Sequence, residues 1–389
     1  MEFIVFYTRS ENDPKEWPLK LSDAFMNEDK SSMKNYEAIE EAIFWVEKEH
    51  LAANLNHFYN TTMLFTEITA GPDDNDRRLD RILRKFMNAD ALSGIYSSIR
   101  KGLIKVNGKK AEAGMHVHEG DIIKIADFLL HGKSHDTEKK SESSEIQKTL
   151  QKLPEILAET EDILIINKPY DSTVQGFKNS LNITVEAYYK NKQKNSSISF
   201  VPGPLHRLDR KTSGALAFSM SLKGARWFSE AIKEHIIKKE YLGIVQGNLT
   251  SKEKWTDRIK SEFDESKAFQ TVIIEENAAD AKNAVTEIFP LGYGKYKNID
   301  YTLVRFAIET GRKHQIRSQS SHHGFPLLGD TAYGGSKILE AEYFLHAFRL
   351  YVPKDNPISL PEVITAPIPK LFENFLKSTM HEYEKCAIL

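Results

Sequence analysis

An α+β fold with a mixed sheet, preceded by a small basic module, is what the sequence predicts. Three observations carry that expectation. An amphipathic helix, a second short helix and an Asn-Gly hairpin lie between residues 78 and 125. A polar stretch, "HGKSHDTEKKSESSEIQK", follows them. Beyond it, about 235 residues alternate strand and helix patterns without strict βαβ spacing, which favours a mixed sheet over a doubly wound one.

Composition bounds the rest. The 389 residues suffice for two or three domains and at least one large core. Hydrophobic residues make up 40%, charged residues 28%, and mean hydropathy is -0.46, values typical of a soluble globular chain. No apolar run reaches the roughly 18 residues of a membrane span, so no membrane partner is expected. The start, "MEFIVFYTRSEND", lacks a basic segment ahead of a long apolar one, and a secretory signal is not expected. The single cysteine, Cys386, excludes a disulfide framework and a cysteine-rich zinc site. It fits a reducing compartment, so a cytoplasmic location is expected. The net charge of -2 leaves local charge to decide the partners.

Residues 1–70 read as an N-terminal extension with one helical signal, "YEAIEEAIFWVEKEH". There Ile39, Ile43 and Val46 fall at i, i+4 and i+7. This helix is expected to pack, and it carries no legible chemistry. Residues 71–130 are expected to form the small module. In "RLDRILRKFM", Leu79, Ile82, Leu83 and Phe86 make one apolar face opposite Arg78, Arg81, Arg84 and Lys85. A second helix, "SGIYSSIRKG", ends at Gly102 with Arg100 and Lys101 in its last turn. "LIKVNGKKAEAG" then gives a strand and an Asn107-Gly108 hairpin, and "GDIIKI" another strand. From Arg77 to Asp127 there are eleven Lys/Arg against six Asp/Glu. Most charge runs are solvated helix faces. Here the cations gather on two helices and a hairpin of one unit, which favours a phosphate-binding surface.

Residues 131–152 read as a flexible linker, and 153–389 as one large domain. "EDILIINKP" is a continuous apolar run, the pattern of a strand buried on both faces. "GALAFS" is a second strand, whose small residues let another element approach closely. "SLKGARWFSEAIKEH" reads as a helix and "KKEYLGIVQG" as a strand. In "YTLVRFAIETGRKHQIRSQ" a strand turns at Gly311 into a basic helical start.

Several site types are absent. There is no Gly-x-Gly-x-x-Gly, no Walker-type loop and no His-Glu-x-x-His. Ser213 lacks a nucleophile-elbow context and reads as structural. His322 and His323 have no third ligand nearby and read as loop residues, and His116 and His118 as part of a solvated hairpin; no metal is expected. Three stretches remain, "HRLDRKTSG", "KKEYLGIV" and "TGRKHQIR". Singly, Asp209 reads as a surface ion-pair partner, Tyr241 as a core aromatic and Arg317 as a solvated helix residue. Together in one domain they favour a site.

Two resemblances are specific. The module, through "RLDRIL", "IRKGLIKVNGKKA" and "GDIIKI", resembles the S4-like (alpha-L) RNA-binding domain first described in a small-subunit ribosomal protein. The large domain resembles the RNA pseudouridine synthases of the RluA/RluC/RluD type. "HRLDRKTSG" matches their signature, and "INKP", "KEYLGIVQG", "KNAVTE", "TGRKHQIR", "GFPLLGDTAYG" and "LHA" follow in order along the chain. The likeness spans roughly residues 71–375. It implies isomerisation of uridine in structured RNA without cofactor or metal; a monomer is expected. Large-subunit ribosomal RNA is the expected target, because the appended module is commonest in those members. tRNA is the alternative target, and a non-catalytic ribosome-assembly protein that kept the fold is the alternative class.

The resemblance also assigns residues. Asp209 becomes the essential carboxylate, basic enough to attack or to take a proton, yet a good leaving group. It adds to the sugar, adds to the base, or acts as a base. Desolvation raises a carboxyl's pKa, and an arginine within about 4–6 Å lowers it by about 1–3 units. Arg317 takes that role, as a guanidinium able to hold both carboxylate oxygens. Arg207 helps displace the base and fills the vacated space. Tyr241 lies against the uracil ring and is a candidate general base. His206, Lys168 and Arg312 complete the candidate substrate-binding set, with Lys168 reaching phosphate. Candidate RNA contacts on the module are Arg78, Arg81, Arg100, Lys101, Lys105, Asn107 and Lys109. Two departures from the family pattern, Tyr170-Asp171-Ser172 and Ser318-Gln319-Ser320, are expected on the RNA-facing rim.

Overall fold

The computed structural model describes residues 64–87, 92–131, 152–177, 179–192, 197–264, 269–274, 280–338 and 341–382. The helix expected between 36 and 50, residues 132–151 of the expected linker, and Cys386 lie outside the described residues.

The small module runs β1 (Phe65–Thr69), a 3-10 turn (Pro72–Asp74), β2 (Arg77–Arg78), α1 (Leu79–Phe86), α2 (Leu92–Arg100) and β3 (Ile104–Val106). It continues with β4 (Lys109–Lys110), β5 (His116–Val117), β6 (Ile122–Ala126) and α3 (Asp127–His131). Four strands pair in the order β1-β6-β3-β4, and β2 pairs with β5. The apolar face read for α1 is the buried one: Leu79, Ile82 and Leu83 pack with Ile95 and Ile99 of α2. At the end of α2, Gly102 adopts φ 73°. The amides of Gly102 and Leu103 donate to the Ile99 and Ser98 carbonyls, a Schellman closure. Asn107 (φ 50°) and Gly108 (φ 75°) turn β3 into β4 with both residues left-handed, as a type I′ hairpin requires.

The larger region continues with β7 (Ile156–Glu159), β8 (Ile163–Lys168), α4 (Leu181–Lys192), β9 (Ser213–Ser219), α5 (Leu222–Lys233), β10 (Lys238–Gln246) and β11 (Glu253–Asp264). After these come β12 (Phe269–Ile274), β13 (Lys282–Tyr296), β14 (Ile299–Ile308), α6 (Gln315–His322), β15 (Leu345–Tyr351), β16 (Val363–Thr365) and α7 (Lys370–Thr379). One 10-stranded sheet runs β12-β11-β13-β14-β10-β15-β9-β8-β7, with β16 on β15. Its pairings are antiparallel except one: β9 lies parallel to β15. The class is α+β with a mixed sheet.

The apolar run of β8 is explained by its two covered faces. Leu164 and Ile166 join a core with Leu181 and Val185 of α4. Ile163 and Ile165 join another with Phe228 of α5. Burying each such side chain contributes about 1.5–3 kcal/mol. Gly214, at the start of β9, has φ 109°, and a Cβ there would stand 2.2 Å from the Ala347 carbonyl oxygen. Only glycine lets β9 reach β15, so this residue makes the parallel joint beside the signature loop.

Candidate active site

Asp209 sits in the loop that leads into β9, where the Thr212 amide donates to its carbonyl at 3.0 Å. Lys168, the last residue of β8, braces this loop from beneath. Its ammonium is fully buried and donates to the carbonyls of Pro169, Arg210 and Thr212 at 3.1, 2.9 and 2.7 Å. All three hydrogens are used, so the expectation that Lys168 reaches phosphate is corrected: it holds the loop that carries Asp209. Burial pulls its pKa down to about 7.

Arg317 lies on α6, opposite the loop. Its Nη1 stands 3.6 Å from an Asp209 oxygen. The two-pronged grip expected between them goes elsewhere. Arg317 Nε and Nη2 donate to the two oxygens of Asp330 at 2.6 and 2.8 Å, and the guanidinium lies between the rings of Tyr333 and Tyr343. Burial opposes the charge, but the Asp330 hydrogen bonds together with the surrounding negative charge, that of Asp330 and Asp209 included, outweigh it and push the Arg317 pKa above its usual range. Arg317 is thus fixed on three sides and presents one nitrogen to Asp209. His314, left-handed at φ 51° as α6 begins, places Nε2 3.6 Å from the other Asp209 oxygen. Its Nδ1 lies 2.8 Å from the Tyr333 hydroxyl.

Tyr241 on β10 is buried, and its phenol is pushed above its ordinary pKa by burial and by the Asp209 charge. Tyr343 is raised in the same direction, first by burial. Both are neutral hydroxyls near neutral pH. A general base must first lose its proton, so this environment opposes that role for Tyr241 in the resting site. Asp330, His314 and Tyr343 were not singled out in the sequence. The signals were "GDTAYG" for the first and "RKHQIR" for the second; nothing in the sequence pointed to Tyr343.

His206 is a correction. Its Nε2 accepts the Ala217 amide at 3.1 Å, its ring stacks on Phe228, and burial lowers its pKa to about 3. These contacts make it a brace that packs the loop against the sheet. Arg207 is exposed, and its charge acts on Lys313 and His314. Arg312 is also exposed and donates to the Asn283 carbonyl at 3.1 Å. Ser213 is buried against His346 Nδ1 at 2.9 Å, consistent with its structural reading.

The two departures divide. Asp171 pairs with Arg210 at 2.6 Å and Lys211 at 3.2 Å, supplying the countercharge for the signature's second arginine. Ser318, Gln319 and Ser320 are buried, and Gln319 bonds Asp257 and Thr286 at 2.6 Å each. That segment anchors α6 and is not a rim. His323 ends the same helix, stacked on Trp255 and bonded to Asp257 at 3.1 Å; it is no free loop residue.

On the module, Arg81, Arg100, Lys101 and Lys109 are exposed and Lys105 half-buried. Arg78 is half engaged, donating to both oxygens of the buried Asp80 at 3.1 and 2.7 Å. Asn107 is removed from the RNA-binding set. Its amide donates to Asp121 at 2.8 Å and its oxygen accepts the Ile122 amide at 2.9 Å, so it closes the hairpin.

Three histidines, His346 buried and His206 and His314 half-buried, make a pH prediction. His314 and His346 have pKa values lowered to about 4, and His206 to about 3, in each case mainly by burial. The unfolded chain takes up these protons near 6.5, so it binds more protons than the native state between that pH and the lowered values. Stability is therefore expected to fall as pH drops from about 6.5 towards 4. Urea midpoints across this window should show the loss, and a flat profile would contradict the neutral rings.

A family model described as RNA pseudouridylate synthase matches residues 162–322, and an S4 domain model matches 77–123. The ribosomal large subunit pseudouridine synthase C of Rickettsia typhi is 32% identical over 280 residues, covering 71% of this chain and 88% of that protein. The tRNA pseudouridine synthase C of Haemophilus ducreyi is 34% identical over 188 residues, covering 46% of this chain and 74% of that protein. Among solved structures, human RNA pseudouridylate synthase domain containing 1 aligns with TM-score 0.44 and 22% identity, over 59% of this chain and 96% of that one. With its ordered motifs and its likeness to the Rickettsia typhi enzyme over 88% of that protein, the chain belongs to the RNA pseudouridine synthase family.

Proposed function

We propose that this synthase isomerises particular uridines in structured large-subunit ribosomal RNA, as a cytoplasmic monomer. The observation that carries the chemistry is Asp209 standing 3.6 Å from an Arg317 that Asp330 holds in place. Asp209 is the catalytic carboxylate, adding to the sugar or the base as the glycosidic bond to nitrogen breaks. Arg317 keeps that carboxylate charged and aimed. Tyr241 offers a ring face and a neutral hydroxyl to the extruded uracil. Arg207, at the exposed entrance, fills the space the base has left. Residues 71–130 serve as the RNA-binding module, and 153–389 as the catalytic domain.

The choice of ribosomal RNA rests on extent. The likeness to the ribosomal enzyme runs over 280 residues and 71% of this chain, whereas the likeness to the tRNA enzyme covers 188 residues and 46%. RNA tritiated at uracil carbon five releases its label when the base is rejoined through that carbon. Release is expected from large-subunit transcripts and not from tRNA transcripts. The reverse pattern would move the target to tRNA, and release from neither would end the proposal.

A further inference from the structure

The module and the catalytic domain touch through a buried polar joint. Asp74 is fully buried at the end of the 3-10 turn that precedes β2. It accepts the hydroxyls of Ser197 and Ser199 at 3.0 and 2.7 Å and the Ile198 amide at 2.7 Å. The Gly71 amide adds a fourth bond at 3.1 Å from the module's own side. Next to it, Arg77 donates to Ser199 at 2.6 Å, and Asp73 accepts the Leu222 amide, in the first turn of α5, at 2.7 Å. Ile198 packs against the module's own apolar core.

These contacts join residues more than a hundred positions apart and combine charge-assisted bonds with apolar insertion. A carboxylate buried among four donors is stable only while the donors stay in place, because losing them leaves an unpaired buried charge. A tether would leave the module free to swing, whereas this joint has a preferred seating.

We infer that Asp74 and the Ser197–Ser199 segment lock the RNA-binding module in one orientation, making them positioning residues for uridine selection. Resting on the function proposed above, the inference adds how one uridine is chosen. An RNA held by the module's basic surface presents one position to Asp209, and the joint sets which one. The module's contacts to phosphate carry little sequence information, so geometry of this kind is the selectivity they can supply.

The test uses the full chain with Cys386→Ser, so that dyes attach only at Glu119→Cys and Lys354→Cys. Single-molecule energy transfer is expected to give one narrow population. Asp74→Asn, and separately Ser197→Ala with Ser199→Ala, should broaden it. The serine pair leaves the module's own turn intact, which separates loss of docking from loss of folding; circular dichroism melts check this. With labelled large-subunit transcripts, both variants should raise KM about tenfold and keep kcat. A broad population in the parent, or a narrow one in both variants, overturns the lock. Broadening without a change in KM overturns its role in selection. If the parent releases no tritium at all, the proposed function fails while the transfer measurement still decides the joint.

Discussion

Asp209→Asn is expected to reduce tritium release below detection while leaving RNA affinity and folding nearly unchanged. Asparagine keeps the shape and loses the charge, so it can neither attack carbon nor take a proton as a carboxylate does. The fold should tolerate it. Both polar neighbours stand at 3.6 Å, beyond hydrogen-bond distance, so the native state loses little. A stability change within about 1 kcal/mol is expected, checked by urea unfolding. RNA affinity measured by filter binding should stay within a few-fold of the parent. Release matching the parent would remove Asp209 from the chemistry.

Asp330→Ala should do more damage to the fold and almost as much to the rate. Arg317 and Asp330 are 11% and 2% exposed in their side chains. Removing one partner of a buried pair typically costs about 3–5 kcal/mol, because the other charge is left uncompensated. The freed guanidinium would then turn between Tyr333 and Tyr343, and its third nitrogen would leave Asp209. A misplacement of about 1 Å can cost about 10²-fold in rate, and kcat should fall by that order. KM should hold, because Asp330 does not face RNA. Asp330→Asn should recover part of the stability by keeping two polar atoms near the guanidinium. Unchanged kcat in a folded Asp330→Ala variant would show that Arg317 needs no such anchor.

How far the sequence reached can be followed residue by residue. Asp209, Arg317 and Tyr241 stand in short ordered motifs, which single them out without any geometry. The buried strand β8, the Asn107-Gly108 turn and the close approach at Gly214 follow from local rules of alternation, chirality and side-chain size. What escaped depends on distance along the chain. Asp330 is 13 residues from Arg317, and nothing local says that its carboxylate turns back to the helix. Lys168 and His206 read as substrate contacts because they stand in the "INKP" and "HRLDRKTSG" motifs. Burial, which turns them into braces, is invisible without the packing. Ser318-Gln319-Ser320 reads as a rim because the residues are polar; in the fold they are buried, Ser318 bonding the His314 and Gln315 carbonyls and Gln319 bonding Asp257 and Thr286. The docking of the module through Asp74 joins segments more than 120 positions apart, and no pattern announces it.

The most direct measurement is nucleoside chromatography of a large-subunit RNA transcript after incubation with the native chain and with Asp209→Asn. Pseudouridine should appear at a few defined positions with the native chain and at none with the variant. Its absence from transcripts that the native chain binds, or equal amounts from both proteins, would contradict the account.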